Sequence, residues 1–281
     1  MRLAMIETGR GRTPAVVTTD GRFLDLVACG LREWHSLEAI ISAGEGALRE
    51  VENLLKTERP ALEDARLLCP LTAPEKIMCI GKNYADHCRE LGSPLPERPV
   101  LFAKYCNALA GPGEEIQLPE LSSMIDYEAE LAVVIGKKCR NVSCEEALSF
   151  VFGYTCANDL TMRDAQKADG QWTRAKTPDG FCPVGPYLVT ADEIADPQNL
   201  KIRLTLNGRL MQDSNTSQMV FSVAELVSYL SKTMTLKPGD LLLTGTPPGV
   251  GMGRDPQVFL KSGDRVCVEI EGIGHLENTF K

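Results

Sequence analysis

The chain has 281 residues, of which 43% are hydrophobic and 24% charged, and a formal net charge of −8. That length holds one large domain, or a small one beside a larger one, in an ordinary globular composition. The acidic balance argues against a nucleic-acid backbone or an anionic membrane surface as partner, so an anionic substrate needs a local positive site. No stretch approaches the length of a membrane span. Ten cysteines without a Cys-x-x-Cys pair give no zinc-ribbon or thioredoxin-like pattern and fit reduced thiols. The expected compartment is the cytoplasm, with the mitochondrial matrix as the alternative if a presequence has been lost.

Residues 1–70 read as a small leading α+β domain. Met1–Ile6 and Ala15–Thr18 have strand character, and Asp20-Gly21 marks a turn. Residues 36–57 carry helical periodicity through Leu37, Ile40, Ile41, Leu48, Val51, Leu54 and Leu55, with Gly44 and Gly46 expected to divide it. Pro60 and Pro70 mark the passage to a main domain over residues 71–281. There, short apolar runs alternate with Gly/Pro turns. Ile77–Ile80, Val100–Phe102, Leu131–Ile135, Tyr187–Val189, Ile202–Leu206, Asp240–Thr244 and Val266–Ile270 read as strands. The predicted class is mostly β with peripheral helices. Two helix starts carry capping boxes, Ser143 with Glu146 and Ser222 with Glu225, the second with Phe221 and Leu226 placed as a hydrophobic staple.

Three acidic residues carry most of the chemistry. Glu128 and Glu130 lie two apart at the mouth of the apolar run Leu131–Ile135, so as a strand they share a face. Two such carboxylates repel unless a cation intervenes. Asp159, ending a second short apolar segment, would complete an all-oxygen pocket of the kind that holds Mg²⁺ or Mn²⁺. An acidic solvent face is the alternative use of the same spacing.

His87 and Glu90 stand at i and i+3, where a carboxylate can orient an imidazole as a general base; a surface ion pair has the same spacing. The turn-rich Gly92–Pro99 that follows could serve as a lid and its hinge. Lys104, Arg163 and Lys176 could together supply the positive field that a substrate carboxylate and a developing oxyanion require. Leu241–Gly253 is a strand running into a Gly/Pro loop that lets backbone approach a ligand, without the Lys-Ser/Thr of a phosphate loop.

Taken together and in order, these segments resemble the fumarylacetoacetate hydrolase family. The matching stretches are Ile80-Gly-Lys-Asn-Tyr-Ala-Asp-His, Phe102-Ala-Lys, Gly111-Pro-Gly, Tyr127-Glu-Ala-Glu-Leu, Asn158-Asp, Ala175-Lys, Cys182-Pro-Val-Gly-Pro and Leu243-Thr-Gly-Thr-Pro-Pro-Gly. The resemblance implies a β-roll catalytic domain, usually dimeric, with Mg²⁺ or Mn²⁺ at Glu128, Glu130 and Asp159. It implies a water-activating dyad of His87 and Glu90 and stabilisation of negative charge by Lys176. It places Lys104, Arg163, Gln166 and Thr246 near the substrate. The chain departs from many relatives at Tyr105-Cys106 after Lys104, and at Thr161-Met162 before Arg163.

The implied partner is a small 2-oxo dicarboxylate or an acylpyruvate, with a metal-stabilised enolate common to several outcomes. Oxaloacetate keto–enol tautomerisation and C–C bond hydrolysis are the leading expectations. Oxaloacetate decarboxylation and a non-catalytic, acid-binding family member are the alternatives.

Overall fold

The computed structural model covers residues 1–281. Alternating and continuous apolar runs at the start of the chain form β1 (Arg2–Thr8) and β2 (Gly11–Val17), an antiparallel hairpin. The predicted turn then returns the chain to β3 (Phe23–Asp25), with Gly21 at φ 84°, a conformation that costs glycine no side-chain clash. The helical stretch divides once. Helices α1 (Leu37–Ala43) and α2 (Glu45–Leu55) meet at Gly44, whose φ is 63°, and Gly46 continues α2 instead of breaking it. Ser36 caps α1 by accepting the Ala39 amide hydrogen. The short β4 (Arg66–Leu68) then pairs with β1.

Next come β5 (Ile77–Gly81), α3 (Ala85–Glu90), β6 (Val100–Lys104), β7 (Leu109–Ala110), β8 (Glu115–Ile116), β9 (Ile125–Asp126) and β10 (Ala129–Ile135). They are followed by α4 (Cys144–Ala147), β11 (Val151–Asn158), β12 (Thr161–Met162), α5 (Arg163–Asp169), α6 (Thr173–Lys176) and β13 (Cys182–Thr190). The chain finishes with β14 (Lys201–Leu206), β15 (Arg209–Asn215), α7 (Val223–Thr233), β16 (Leu241–Leu243), β17 (Arg265–Ile270) and β18 (Gly274–Phe280).

Eleven strands form one sheet in the order β3-β2-β1-β13-β11-β10-β16-β5-β6, with β4 attached to β1 and β7 to β13. A five-stranded sheet runs β15-β14-β17-β18-β8. The structure is thus mostly β with peripheral helices, as the sequence predicts. The central strands β10 and β11 are buried along their whole length, which explains their near-continuous apolar sequence. On one face, Leu131, Val133 and Tyr154 join a core with Ile202, Val268 and Leu276 of the smaller sheet. On the other, Ala132 and Val134 join Ile40, Ile41 and Val51 of the two leading helices. Residues 1–70 therefore share both a sheet and a core with the rest of the chain.

The box at Ser222 is complete, with Ser222 accepting the Glu225 amide and Glu225 accepting the Ser222 amide. At Ser143 only half forms: Ser143 accepts the Glu146 amide, but the Glu146 carboxylate takes the Ser143 hydroxyl instead of the backbone amide.

Candidate active site

The register of β10 against β11 builds the floor of the site. Ala129 pairs with Asn158, and one step further the Asp159 amide donates to the Glu128 carbonyl at 2.9 Å. Residues directly opposite on an antiparallel pair project from the same face, and so do residues two apart on one strand. Glu128, Glu130 and Asp159 therefore converge, each buried, with one oxygen from each lying within 4.8 Å of the others. The Asn158 side chain fixes the corner by accepting the Glu128 amide at 2.9 Å.

Cations surround this floor. Lys176, at the end of α6, donates to Glu128 Oε2 at 2.6 Å and to Asp159 Oδ2 at 2.7 Å. Arg163, opening α5, donates through Nη2 to Glu128 Oε1 at 2.7 Å and through Nε to Asp126 Oδ2 at 2.8 Å. Burial alone would raise the Glu128 pKa, but Lys176 and Arg163 outweigh it and hold that carboxyl well below the usual range. Glu130 goes the other way. Burial, then the neighbouring Asp159 and Glu128 carboxylates, push it well above the usual range. The Lys176 charge opposes them, and so does the Gly245 amide, donating to Glu130 Oε2 at 2.6 Å.

The dyad forms on α3. His87 Nδ1 lies 3.0 Å from Glu90 Oε2, and Glu90 Oε1 accepts the Gly249 amide at 2.8 Å. The Gly/Pro loop after β16 thus grips the dyad. A Cβ at Gly253 would fall 2.6 Å from Glu90 Cδ, so that approach requires glycine. His87, Glu128, Glu130, Asp159, Lys176 and Thr246 all line one cavity of about 260 Å³. A larger cavity of about 410 Å³ lies between α2 and the Gly136–Phe152 region, but its charged residues Glu45, Arg49, Glu52, Lys137 and Asp192 are all exposed.

The fumarylacetoacetate hydrolase C-terminal family model matches residues 76–281. The chain belongs to the fumarylacetoacetate hydrolase family. It is 45% identical over 291 residues to a Xenopus laevis protein named oxaloacetate tautomerase fahd2, mitochondrial, covering 99% of this chain and 89% of that one. Among solved structures, it matches a fumarylacetoacetate hydrolase from psychrophilic Exiguobacterium antarcticum with a TM-score of 0.88 and 38% identity, covering 100% and 99% of the two chains. It also matches maleylpyruvate hydrolase from Sphingobium sp. SYK-6, solved with manganese(II) and pyruvate, with a TM-score of 0.83 and 32% identity over 100% and 98% of the chains. This chain is accordingly an enzyme of the fumarylacetoacetate hydrolase family.

The floor has the chemistry a divalent ion of this family requires. It offers only oxygens, the donors that Mg²⁺ and Mn²⁺ prefer. Asp159 Oδ1 is buried and ion-paired with Lys104 Nζ at 2.6 Å. Lys104 Nζ also donates to the carbonyls of Leu160, Phe181 and Lys176, the first two at 3.2 and 2.8 Å.

The family's expected substrate neighbours fall into two groups. Gln166 and Thr246 line the cavity, and Thr246 Oγ1 accepts from Gln212 at 2.8 Å. Arg163 also lines it, but its guanidinium is committed to Asp126, Glu128 and, at 3.2 Å, Gln166. Lys104 lies behind the floor with no exposed side-chain surface, on the far side of Asp159 from the cavity lining.

Several site residues escaped the sequence reading. Asp126 is fully buried and accepts four times: from Tyr127 and Gly251 at 2.9 and 2.7 Å, and from Met252 and Arg163 at 3.0 and 2.8 Å. It ties the Gly/Pro loop to the cation that holds Glu128. Gln212 links the same loop to the floor by accepting the Ala129 amide at 2.9 Å while donating to the Pro247 carbonyl at 2.8 Å. Phe102 and Trp172 form an aromatic wall, with ring centroids 5.3 Å apart and an interplanar angle of 66°. Lys176 Nζ stands 4.9 Å from the Phe102 centroid. The one available signal was position: Asp126 begins the same acidic run as Glu128 and Glu130.

Proposed function

We propose that this enzyme is a divalent-metal-dependent oxaloacetate keto–enol tautomerase. The observation that carries the reading is the convergence of Glu128, Glu130 and Asp159, with Lys176 between two of them, on the floor of a cavity that also holds His87. The name of the Xenopus relative supports the substrate. Glu128, Glu130 and Asp159 would hold Mg²⁺ or Mn²⁺, the hard cations their oxygens suit. When bound, such an ion supplies the Lewis acidity that favours the enolate of a 2-oxo acid.

The chain's own groups do the rest. His87, oriented by Glu90, is the group on the wall that can take a proton from C3 of the keto acid and deliver it to the 2-oxo oxygen to give the enol, or carry it back from that oxygen to C3 in the reverse direction. Lys176 places a fixed positive charge beside the oxygen on which negative charge develops. Gln166 and Thr246 offer hydrogen bonds to the carboxylate and carbonyl oxygens. The Phe102–Trp172 wall limits water on that side.

A second reading, hydrolysis of a C–C bond in an acylpyruvate, is favoured by the dyad itself. An imidazole backed by a carboxylate is also the device that deprotonates water. An ultraviolet assay with enol-oxaloacetate and acetylpyruvate, with pyruvate release followed in parallel, separates the two. Loss of the enol absorbance without pyruvate is the tautomerase result. Cleavage of acetylpyruvate selects the hydrolase, and pyruvate from oxaloacetate selects decarboxylation. Mn²⁺ affinity of the wild type and Glu128→Ala tests the metal site: negligible binding by both would overturn the metal-dependent reading.

We further propose a homodimer. Exposed Leu101 on the edge strand β6, with exposed Tyr105 just beyond it, supports a covered face, and light scattering measures the mass. No helix is long and apolar enough to cross a membrane. The Xenopus relative's name makes mitochondria the alternative to the cytoplasm, and fractionation decides between them.

A further inference from the structure

The cavity is lined by three cations, and two of them are already spent. Arg163 and Lys176 are paired with Asp126, Glu128 and Asp159. Lys82 also lines the cavity, half-buried, and takes part in no ion pair. The carboxylates Glu90, Asp126, Glu128, Glu130 and Asp159 are offset by Lys104, Arg163, Lys176 and a divalent ion. That leaves no positive charge over for a substrate that is itself a dianion. Lys82 is the surplus.

Its backbone points the same way. Lys82 has φ 58°, in the left-handed region that non-glycine residues seldom occupy. Both neighbours hold it there. Gly81 lies so close to Trp172 that a Cβ would fall 2.5 Å from the ring. Asn83 is fully buried, donating to the carbonyls of Thr244 and Phe221 at 2.7 and 3.0 Å and accepting the Phe221 amide at 2.8 Å. The Lys82 carbonyl accepts from Cys88 Sγ at 3.4 Å, which ties the corner to the helix carrying His87. A lysine retained in a costly conformation at a cavity wall, between two pinned neighbours, signals a functional constraint.

We propose that Lys82 binds the substrate carboxylate remote from Glu128, Glu130 and Asp159, and so sets a preference for 2-oxo dicarboxylates over 2-oxo monocarboxylates. The assignment rests on the reading of this site as one for oxaloacetate-type acids. A 2-oxo acid that presents its first carboxylate and 2-oxo oxygen to the acidic floor directs its second carboxylate away from it. A flexible ammonium group with three donors suits that exposed end.

The test uses the full chain loaded with Mn²⁺. The KM for enol-oxaloacetate and the inhibition constant of pyruvate, which lacks the second carboxylate, are measured for wild type, Lys82→Asn and Lys82→Arg. Asparagine tolerates the left-handed conformation, so folding is spared. Lys82→Asn should raise the KM about tenfold, as expected for losing one charge-assisted contact, with kcat nearly unchanged. Pyruvate inhibition should hold within about twofold, and Lys82→Arg should recover most of the affinity for oxaloacetate. Equal losses for both ligands, or no loss for either, in Lys82→Asn would overturn the assignment while leaving the reading of the site intact. A wild type that does not turn over oxaloacetate would overturn the reading, and the assignment with it.

Discussion

Glu128, Glu130 and Asp159 sit at the ends of the two central strands, where the ladder of β10 and β11 positions them, buried cations hold Glu128 and Asp159, and the Gly245 amide holds Glu130. His87 and Glu90 sit on a helix of six residues whose N-cap, Tyr84, makes no side-chain capping bond. Glu90 contacts the floor's loop at Gly249 and Gly253. One half of the site is therefore part of the core, and the other is docked onto it. A ligand-binding half docked from outside the core is the kind of element that opens locally, whereas the core half opens only with the fold.

This contrast can be broken or sharpened. The largest effect is expected from Arg163→Met, which takes the buried cation away from Asp126 and Glu128. Removing one partner of a buried pair costs about 3–5 kcal/mol, so denaturant unfolding should show a loss of that order together with weaker Mn²⁺ binding. On the docked half, Glu90→Gln should lower kcat by about 10²-fold, at the low end of what general-base catalysis contributes. Mn²⁺ affinity and the unfolding midpoint should stay near wild type, and a matching loss of metal affinity would show that the two halves are not separable. Gly253→Ala drives a methyl group into Glu90 and should shift the dyad by a fraction of an ångström. Steady-state kinetics should show about a tenfold lower kcat, with metal binding retained. The smallest effect is expected far from both halves. Ser222→Ala removes the complete box of α7 and should cost about 1 kcal/mol in thermal unfolding, with no change in kcat.

The core half was the more legible in the sequence. Period-two spacing placed Glu128 and Glu130 on one face, and the apolar run behind them announced a strand covered on both sides. The i, i+3 spacing put His87 and Glu90 on one helical turn, but nothing local said what they dock against. Asp126 and Gln212 were missed because their partners lie across the fold, on residues 163, 251 and 252 for Asp126 and on residues 129, 246 and 247 for Gln212. Gln212 also sits in Arg209–Asn215, whose polar sequence hides a strand that buries Met211 and Gln212. The joining of residues 1–70 to the main sheet rests on two register pairs, Arg2 with Val189 and Leu3 with Leu188, which no local pattern encodes.

The Lys104 ammonium group is sealed beneath the floor, ion-paired with Asp159 and donating to three backbone carbonyls, with its side chain wholly without solvent contact. An amine-acylating reagent should therefore skip this lysine in the native enzyme and mark it only once the floor has come apart. Peptide mapping of that single adduct over time would act as a clock for collapse of the catalytic centre, read independently of turnover.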